Sequence, residues 1–200
     1  MYYKEIVSAV AIAITFIAFF PYIRSIFRGA TRPHVFSWII WGSTTFVVFL
    51  AQLQDEAGVG AWPIGVSGII TIFIALLAYI KRADISITKV DWLIFTAAMT
   101  SLPAWYVTSD PLWAVVILTT VDTLGFGPTI RKIFSQPHSE SLLFFGLFAA
   151  RNLIVVLALE NYTLTTILFP AVIALACLAT ILLMLYRRRV LGSLAANRLK

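Results

Sequence analysis

The chain has 200 residues, 60% of them hydrophobic and only 12% charged, and its mean hydropathy is +0.94. These values lie far above those of an ordinary soluble domain, so they exclude that class and predict an integral membrane protein. The net charge of +6 is read as membrane topology, because cations collect at the cytoplasmic ends of membrane helices. We therefore do not expect nucleic-acid binding.

Seven apolar runs follow one another along the chain, each separated from the next by a short polar break. A bilayer core about 30 Å thick needs about 20 apolar residues per helix, and each run is close to that length. The sequence therefore predicts an all-α integral membrane protein with seven transmembrane helices. The predicted spans cover residues 6–27, 35–53, 60–80, 91–108, 111–134, 141–159 and 164–186.

Lysine and arginine side chains gather on one side of this layout. They cluster in residues 24–32, 81–89, 131–132 and 187–200, whereas the opposite helix ends carry Lys4 and several carboxylates. Because cytoplasmic loops hold an excess of cations, this asymmetry predicts an N-terminus outside and a cytoplasmic C-terminus. The lack of a long targeting extension favours a prokaryotic inner (plasma) membrane.

One short motif is written twice in the chain. Residues 20–34 read FPYIRSIFRGATRPH and residues 127–138 read GPTIRKIFSQPH, so both contain Pro-x-Ile-Arg-x-Ile-Phe and, after a short loop, Pro-His. The same offset pairs Pro63 with Pro170. This indicates that helices one to three are repeated as helices five to seven, with an unpaired fourth helix that lets both triplets insert in the same direction.

The repeat predicts two parallel three-helix bundles joined by a linker helix. The first bundle covers residues 1–82, the linker 83–110, the second bundle 111–189 and a cytoplasmic tail 190–200. Two such bundles facing each other enclose a central path. A proline at the same level in each bundle would let both of them bend, since proline removes one backbone hydrogen bond of a helix.

In this arrangement the chain resembles the PQ-loop superfamily, which includes the SWEET sugar transporters. The resemblance implies alternating access between the bundles, with Pro21 and Pro128 as hinges. The family's glutamine after each of these prolines is replaced by Tyr22 and Thr129. A further element, Trp38-Ile-Ile-Trp41, resembles the Trp-x-x-Trp element of the nicotinamide-riboside transporter group.

Two charged residues near the middle of predicted helices break the repeat. Asp122 stands where the first bundle has Thr15, and Arg151 stands where it has Val47. Charge is costly inside a bilayer, so such residues face a cavity or each other. Asp122 and Arg151 lie at similar depth on consecutive helices, which makes an ion pair reasonable. Either a lock of the second bundle or a role in solute binding is compatible with this pattern.

These features define the predicted site. The predicted substrate path is lined by Asp122, Arg151, Asn152, Thr15, Thr119 and Trp41. Glycines 125 and 127 soften the fifth helix, so Gly125 and Gly127 join the two prolines as hinge residues. His34 and His138 each follow a loop proline, where they either gate the path or cap the next helix.

Other chemistry is not expected from this sequence. Cys177 is the only cysteine, so a disulfide or thiol relay has no second partner. There is also no convergent set of nucleophile, base or metal ligands, and we predict no enzyme activity, cofactor or metal. The predicted partners are the lipid bilayer and a small sugar-like, nucleoside-like or amino-acid-like solute, and a homo-oligomer stays open. The alternative is a non-transporting membrane scaffold or receptor-like protein with the same fold.

Overall fold

The computed structural model describes residues 2–29, 35–81, 89–135, 137–138 and 140–197, and all regular structure in these ranges is helical. The all-α class predicted from the sequence is confirmed. A short 3-10 turn, Gly58–Ala61, precedes the third helix. The helices are α1 (Tyr2–Phe27), α2 (Val35–Gln54), α3 (Trp62–Ile80), α4 (Lys89–Met99), α5 (Ser101–Thr108), α6 (Pro111–Leu124), α7 (Phe126–Ser135), α8 (Leu142–Ala158) and α9 (Leu164–Asn197).

Several of these helices have the length and composition of membrane spans. Large apolar side chains such as Leu175 and Leu182 are well exposed on the outer helix faces, where a lipid environment would cover them. Two apolar helices, α6 and α8, are shorter than a full span. The helices are compatible with an integral membrane protein. The segments that are individually long and apolar enough are Tyr2–Phe27, Val35–Gln54, Gly58–Ile80 and Leu164–Leu191.

Two predicted spans are each interrupted three residues before a proline. The fourth span divides at Thr100, ahead of Pro103, and the fifth divides at Gly125, ahead of Pro128. A proline cannot donate to the carbonyl four residues earlier, so the helix is weakest at this point. Pro21 has the same deficit but lies within the continuous α1. The two predicted proline hinges therefore differ. A break in the helix lies just before Pro128, whereas α1 continues through Pro21.

The helices pack in matching pairs. α2 lies against α3 as α8 lies against α9, and α1 contacts α3 as α6 contacts α9. Across the middle of the molecule, α1 packs on α8 and α2 packs on α6. Each of these contacts has a counterpart under the sequence offset that pairs the two Pro-x-Ile-Arg-x-Ile-Phe motifs. The buried core between the helices includes Val48, Val115, Leu118 and Val155, all with almost no exposed surface.

Gly42 and its repeat partner Gly146 differ in the space around them. A Cβ atom added at Gly42 would lie 2.6 Å from Ile72 Cγ1 and 2.9 Å from the Ile72 backbone nitrogen. A Cβ atom added at Gly146 would meet nothing within 4 Å. Gly42 therefore sets the close approach of α2 and α3, as small residues do between membrane helices.

We expect Gly42→Ala to destabilise the protein and Gly146→Ala to leave its stability unchanged or slightly raised. Overpacking at the first position costs about 1–3 kcal/mol, whereas alanine at the second position only improves helix propensity. The measurement is the unfolding midpoint of each purified variant in the same detergent. Equal midpoints for the two variants would contradict this account of the α2–α3 contact.

The last helix is longer than its apolar run. The predicted span covers residues 164–186, but α9 continues through three arginines to Asn197, a helix of 34 residues. The span predicted from hydropathy ends at the first charged residues. The helix continues, because arginine, leucine and alanine are good helix formers. The predicted tail, 190–200, is therefore a helical continuation of α9 as far as Asn197.

Two of these arginines tie α9 to the last turn of α7 and to the loop between α7 and α8. Arg187 Nη2 donates to the backbone carbonyl of Phe134 at 2.6 Å. Arg188 donates through Nε to the carbonyl of Pro137 and through Nη2 to that of Glu140, at 2.9 and 3.0 Å. The position of this loop is thereby fixed to the end of α9.

Candidate functional site

A cavity of about 530 Å³ lies among α1, α2, α3, α6, α8 and α9. Its lining runs from Ser37 and Glu140, at one end of the helices, to Arg151 and Cys177 in the middle of α8 and α9. Arg151 lies roughly 14 Å along α8 from the first residue of that helix, which is about half the thickness of a bilayer core. The end of the cavity that carries Ser37 and Glu140 is called the mouth below.

Arg151 lies at the deep end of the cavity and is only 3% exposed. Its Nε donates to Thr15 Oγ1 at 3.3 Å, its Nη1 to Asn152 Oδ1 at 2.8 Å and its Nη2 to the Pro63 carbonyl at 2.9 Å. All three acceptors are neutral, so within the described part of the chain the guanidinium has no counter-ion. Of its five N–H donors, two have no described acceptor.

Asp122 lies on α6, is partly exposed, and lines the same cavity. Thr44 Oγ1 lies 3.0 Å from its Oδ1 and is its only hydrogen-bond donor among the described residues. The same hydroxyl lies 3.0 Å from the Trp41 carbonyl, so its single hydrogen is shared between two acceptors. The second carboxylate oxygen is left without a described donor.

The ion pair expected between Asp122 and Arg151 does not form, since each charge is held by neutral groups on other helices. The expectation was wrong because it treated consecutive helices as neighbours. α6 and α8 instead both pack on α9; α6 also packs on α2, α4 and α5, and α8 also packs on α1. The two charges are separate groups on the wall of one cavity.

Aromatic rings form much of the remaining wall. Tyr22, Trp38 and Trp41 contribute one group, with ring centres 4.9 Å apart for the first pair and 5.7 Å for the second. Phe144 and Phe148 of α8 contribute another, with centres 4.7 Å apart. These groups come from different halves of the chain, and Phe19 of α1 packs edge-on against Phe148 with ring centres 5.3 Å apart.

Several predicted path residues are brought together here. Thr15 and Asn152 are buried behind Arg151 and hold its guanidinium. Thr119 is buried on α6, where its Oγ1 has no partner in the described structure, and it is not part of the cavity lining. The predicted residues that line the cavity are Asp122, Arg151, Trp41 and Gly125.

The other predicted hinge and gate residues fall at helix ends and in loops. Pro21 lies near the end of α1, and Gly127 and Pro128 lie in the first turn of α7. His138 is exposed in the loop between α7 and α8. His34 lies outside the described residues.

The end of the molecule opposite the mouth is closed by two loops that press on each other. These loops, residues 55–61 before α3 and residues 159–163 before α9, are called the closed end below. A Cβ atom added at Gly60 would lie 2.7 Å from the Leu159 backbone, so no side chain fits at this position between the loops. Ala57 in the first loop is fully buried.

Hydrogen bonds also join the two sides of the closed end. Thr163 Oγ1 donates to the Asp55 carboxylate, and Asn161 Nδ2 donates to the Asp55 carbonyl at 3.1 Å. Lys4 Nζ donates to the Leu159 carbonyl at 2.6 Å. Each bond links a segment of the first repeat to the loop that begins the last helix of the second.

Sequence reasoning did not select Trp38, Tyr22, Thr44 or Glu140 as part of the site. Trp38 lies three residues from Trp41, so helical spacing places both on one face and was a usable signal. The remaining three carry no local signal, because tertiary packing brings them to the cavity.

Comparison with known proteins leaves the functional argument to this geometry. No protein-family model, no curated protein and no solved structure matches the chain.

Proposed function

We propose that this chain is a membrane transporter that moves a small polar solute by alternating access. The observation that carries the proposal is a cavity of about 530 Å³ with the Asp122 carboxylate and the Arg151 guanidinium, which has no counter-ion among the described residues, on its inner wall and the Glu140 carboxylate at its mouth. Ligand sites are concave, about 300–1,000 Å³ in size, and mostly apolar with a few convergent polar groups. Charged groups within membrane helices mark solute or ion pathways when they face such a space.

The matching helix contacts support two three-helix bundles as the moving parts. The first bundle contains α1 to α3 within residues 1–82, and the second contains α6 to α9 within residues 111–189, as the resemblance to the PQ-loop superfamily implies. In this arrangement α4 with α5, and α6 with α7, each cross the membrane as one interrupted helix, which makes seven spans. The cavity and the closed end both lie between the bundles.

The cavity at one end and the contacts at the other correspond to one of the two states that alternating access requires. To reach the second state, the closed end must separate and the aromatic walls must approach each other. Hydrogen bonds between membrane helices contribute about 0.6 kcal/mol each on average, so a few of them hold the closed end without making it permanent. The helix break at Gly125, beside Asp122, gives the second bundle a place to bend. The cation distribution puts the mouth in the cytoplasm.

A thiol placed on the cavity wall tests this proposal. Thr45 lines the cavity and is 8% exposed, while Leu50 on the same helix is 42% exposed on the outer surface. In a Cys177→Ala background, we expect Thr45→Cys to react with a charged, membrane-impermeant thiosulfonate from the mouth side only. Leu50→Cys is expected to react from neither side, because the reagent needs water and lipid covers that face.

The transported solute is sought by uptake of labelled sugars, nucleosides and amino acids into proteoliposomes. A solute that is taken up is expected to slow the reaction of Thr45→Cys, and the modified protein is expected to lose uptake. A folded Thr45→Cys variant that reacts from neither side, in a protein that takes up nothing, would overturn the transporter and favour the scaffold or receptor-like alternative.

A further inference from the structure

We propose that the cavity takes a small zwitterion with a flat aromatic body, of which an aromatic α-amino acid is the simplest member. This proposal rests on the proposed transport function and names the solute class of the same site. It follows from two opposite charges that are held separately on the cavity wall and from the aromatic residues that line the same cavity.

The two charges inside the cavity, away from the Glu140 carboxylate at its mouth, determine what a bound ligand must carry. Arg151 offers two N–H donors without a described acceptor, and the Asp122 carboxylate has one oxygen without a described donor. An anionic ligand would compensate Arg151 and be repelled by Asp122, and a cationic ligand would do the reverse. A neutral ligand would compensate neither charge. A zwitterion compensates both, and it enters the membrane interior without net charge.

Arg151 stands one helical turn from an aromatic residue of the wall, and so does Thr44, the hydrogen-bond donor of Asp122. Arg151 follows Phe148 by three residues on α8, and its Cζ lies 5.8 Å from the centre of that ring. Thr44, which binds Asp122, follows Trp41 by three residues on α2. A ligand whose charged groups reach both residues therefore places its body against the rings. Flat aromatic bodies suit such walls, because offset and edge-to-face ring contacts add to the burial of apolar area.

The proposal is tested by binding of tritiated phenylalanine to the purified full-length protein in nanodiscs. Two isosteric analogues separate the charges: phenethylamine lacks the carboxylate and 3-phenylpropionate lacks the ammonium group. We expect saturable phenylalanine binding, with each analogue competing at least about tenfold more weakly, since loss of one member of a buried charge pair is costly. Absence of saturable binding, or competition by either analogue as strong as that of unlabelled phenylalanine, would overturn the proposal.

Two variants then assign the charges to residues. Asp122→Asn is expected to weaken phenylalanine binding and to make 3-phenylpropionate the better of the two analogues. Arg151→Gln is expected to shift the preference to phenethylamine. If Arg151→Gln fails to fold because the Pro63 carbonyl loses its donor, the wild-type comparison and Asp122→Asn still decide. If the relative affinities of the two analogues are unchanged in Asp122→Asn, the assignment of Asp122 to the ammonium group is wrong.

The outcome is distinguishable from a failure of the transport proposal. If Thr45→Cys is labelled from one side and an uncharged solute is taken up, but phenylalanine does not bind, the transport proposal is supported and the zwitterion proposal is rejected. If phenylalanine binds but neither one-sided labelling nor uptake is observed, the proposed ligand class is supported and the transport proposal is rejected.

Discussion

Replacement of Asp122 by asparagine is expected to reduce solute uptake by the reconstituted protein at least about tenfold, while the protein stays folded. Asparagine has nearly the same volume and keeps an oxygen that accepts from Thr44, whose hydroxyl lies 3.0 Å from the present carboxylate. The change therefore removes the charge on the cavity wall and little else. Loss of one charged partner from a buried pair with the ligand costs more than one order of magnitude in affinity.

Asp110→Asn is the matched control for this variant. Asp110 lies on the same helical segment, at the exposed N-terminus of α6, where its side chain accepts from the Leu112 amide at 2.9 Å. Asparagine is an equally good N-cap, so uptake and the unfolding midpoint are expected to match those of the wild type. Full activity in Asp122→Asn would exclude this carboxylate from the solute path.

Cross-linking the closed end is expected to stop uptake, with at least about a tenfold loss that a reductant reverses. The pair is Asp55→Cys with Thr163→Cys in the Cys177→Ala background, because the Asp55 and Thr163 side chains are in direct hydrogen-bond contact. A short bifunctional thiosulfonate would join the segment before α3 to the loop before α9 at this end. If transport requires the closed end to open, a covalent bridge holds the protein in one state, and the remaining flux falls with the fraction that is cross-linked.

The control pair for the cross-link lies at the same end of the molecule but does not join the segment before α3 to the loop before α9. Thr108 and Asp110 contact each other through the Asp110 amide and Thr108 Oγ1, which are 3.3 Å apart. The same reagent on Thr108→Cys with Asp110→Cys is expected to leave uptake unchanged, as are the single variants at Asp55 and Thr163. Normal uptake in a fully cross-linked Asp55–Thr163 pair would contradict opening at the closed end.

Helix positions are the part of this molecule that the sequence predicts best, because apolar runs and prolines act locally. The predicted spans 35–53 and 141–159 agree with α2 and α8 to within one residue at each end. The errors also have local causes. Hydropathy ended the last span at three arginines that the helix passes through, and it ran across Thr100 and Gly125, where a following proline interrupts the helix.

Only those residues of the candidate site that are unusual by themselves could be predicted from the sequence. Asp122 and Arg151 stand out because charge is rare in membrane helices, and both line the cavity. Their partners were not predictable, since α9 lies between the helices that carry them. The contacts of the closed end escaped notice for a related reason: they join ordinary polar loop residues that are about a hundred positions apart, such as Asn161 and Asp55.

The length of α9 has a mechanical consequence. At 1.5 Å per residue its 34 residues span roughly 51 Å, well beyond a bilayer core of about 30 Å. Arg188 of α9 donates to the carbonyl of Glu140 at the cavity mouth. The projecting end of α9 and the mouth are therefore mechanically connected. A lateral force on the projecting end of α9 is transmitted along the helix to the mouth. A lipid surface, a neighbouring protein or an affinity tag that holds the C-terminal end would therefore bias how wide the mouth stands.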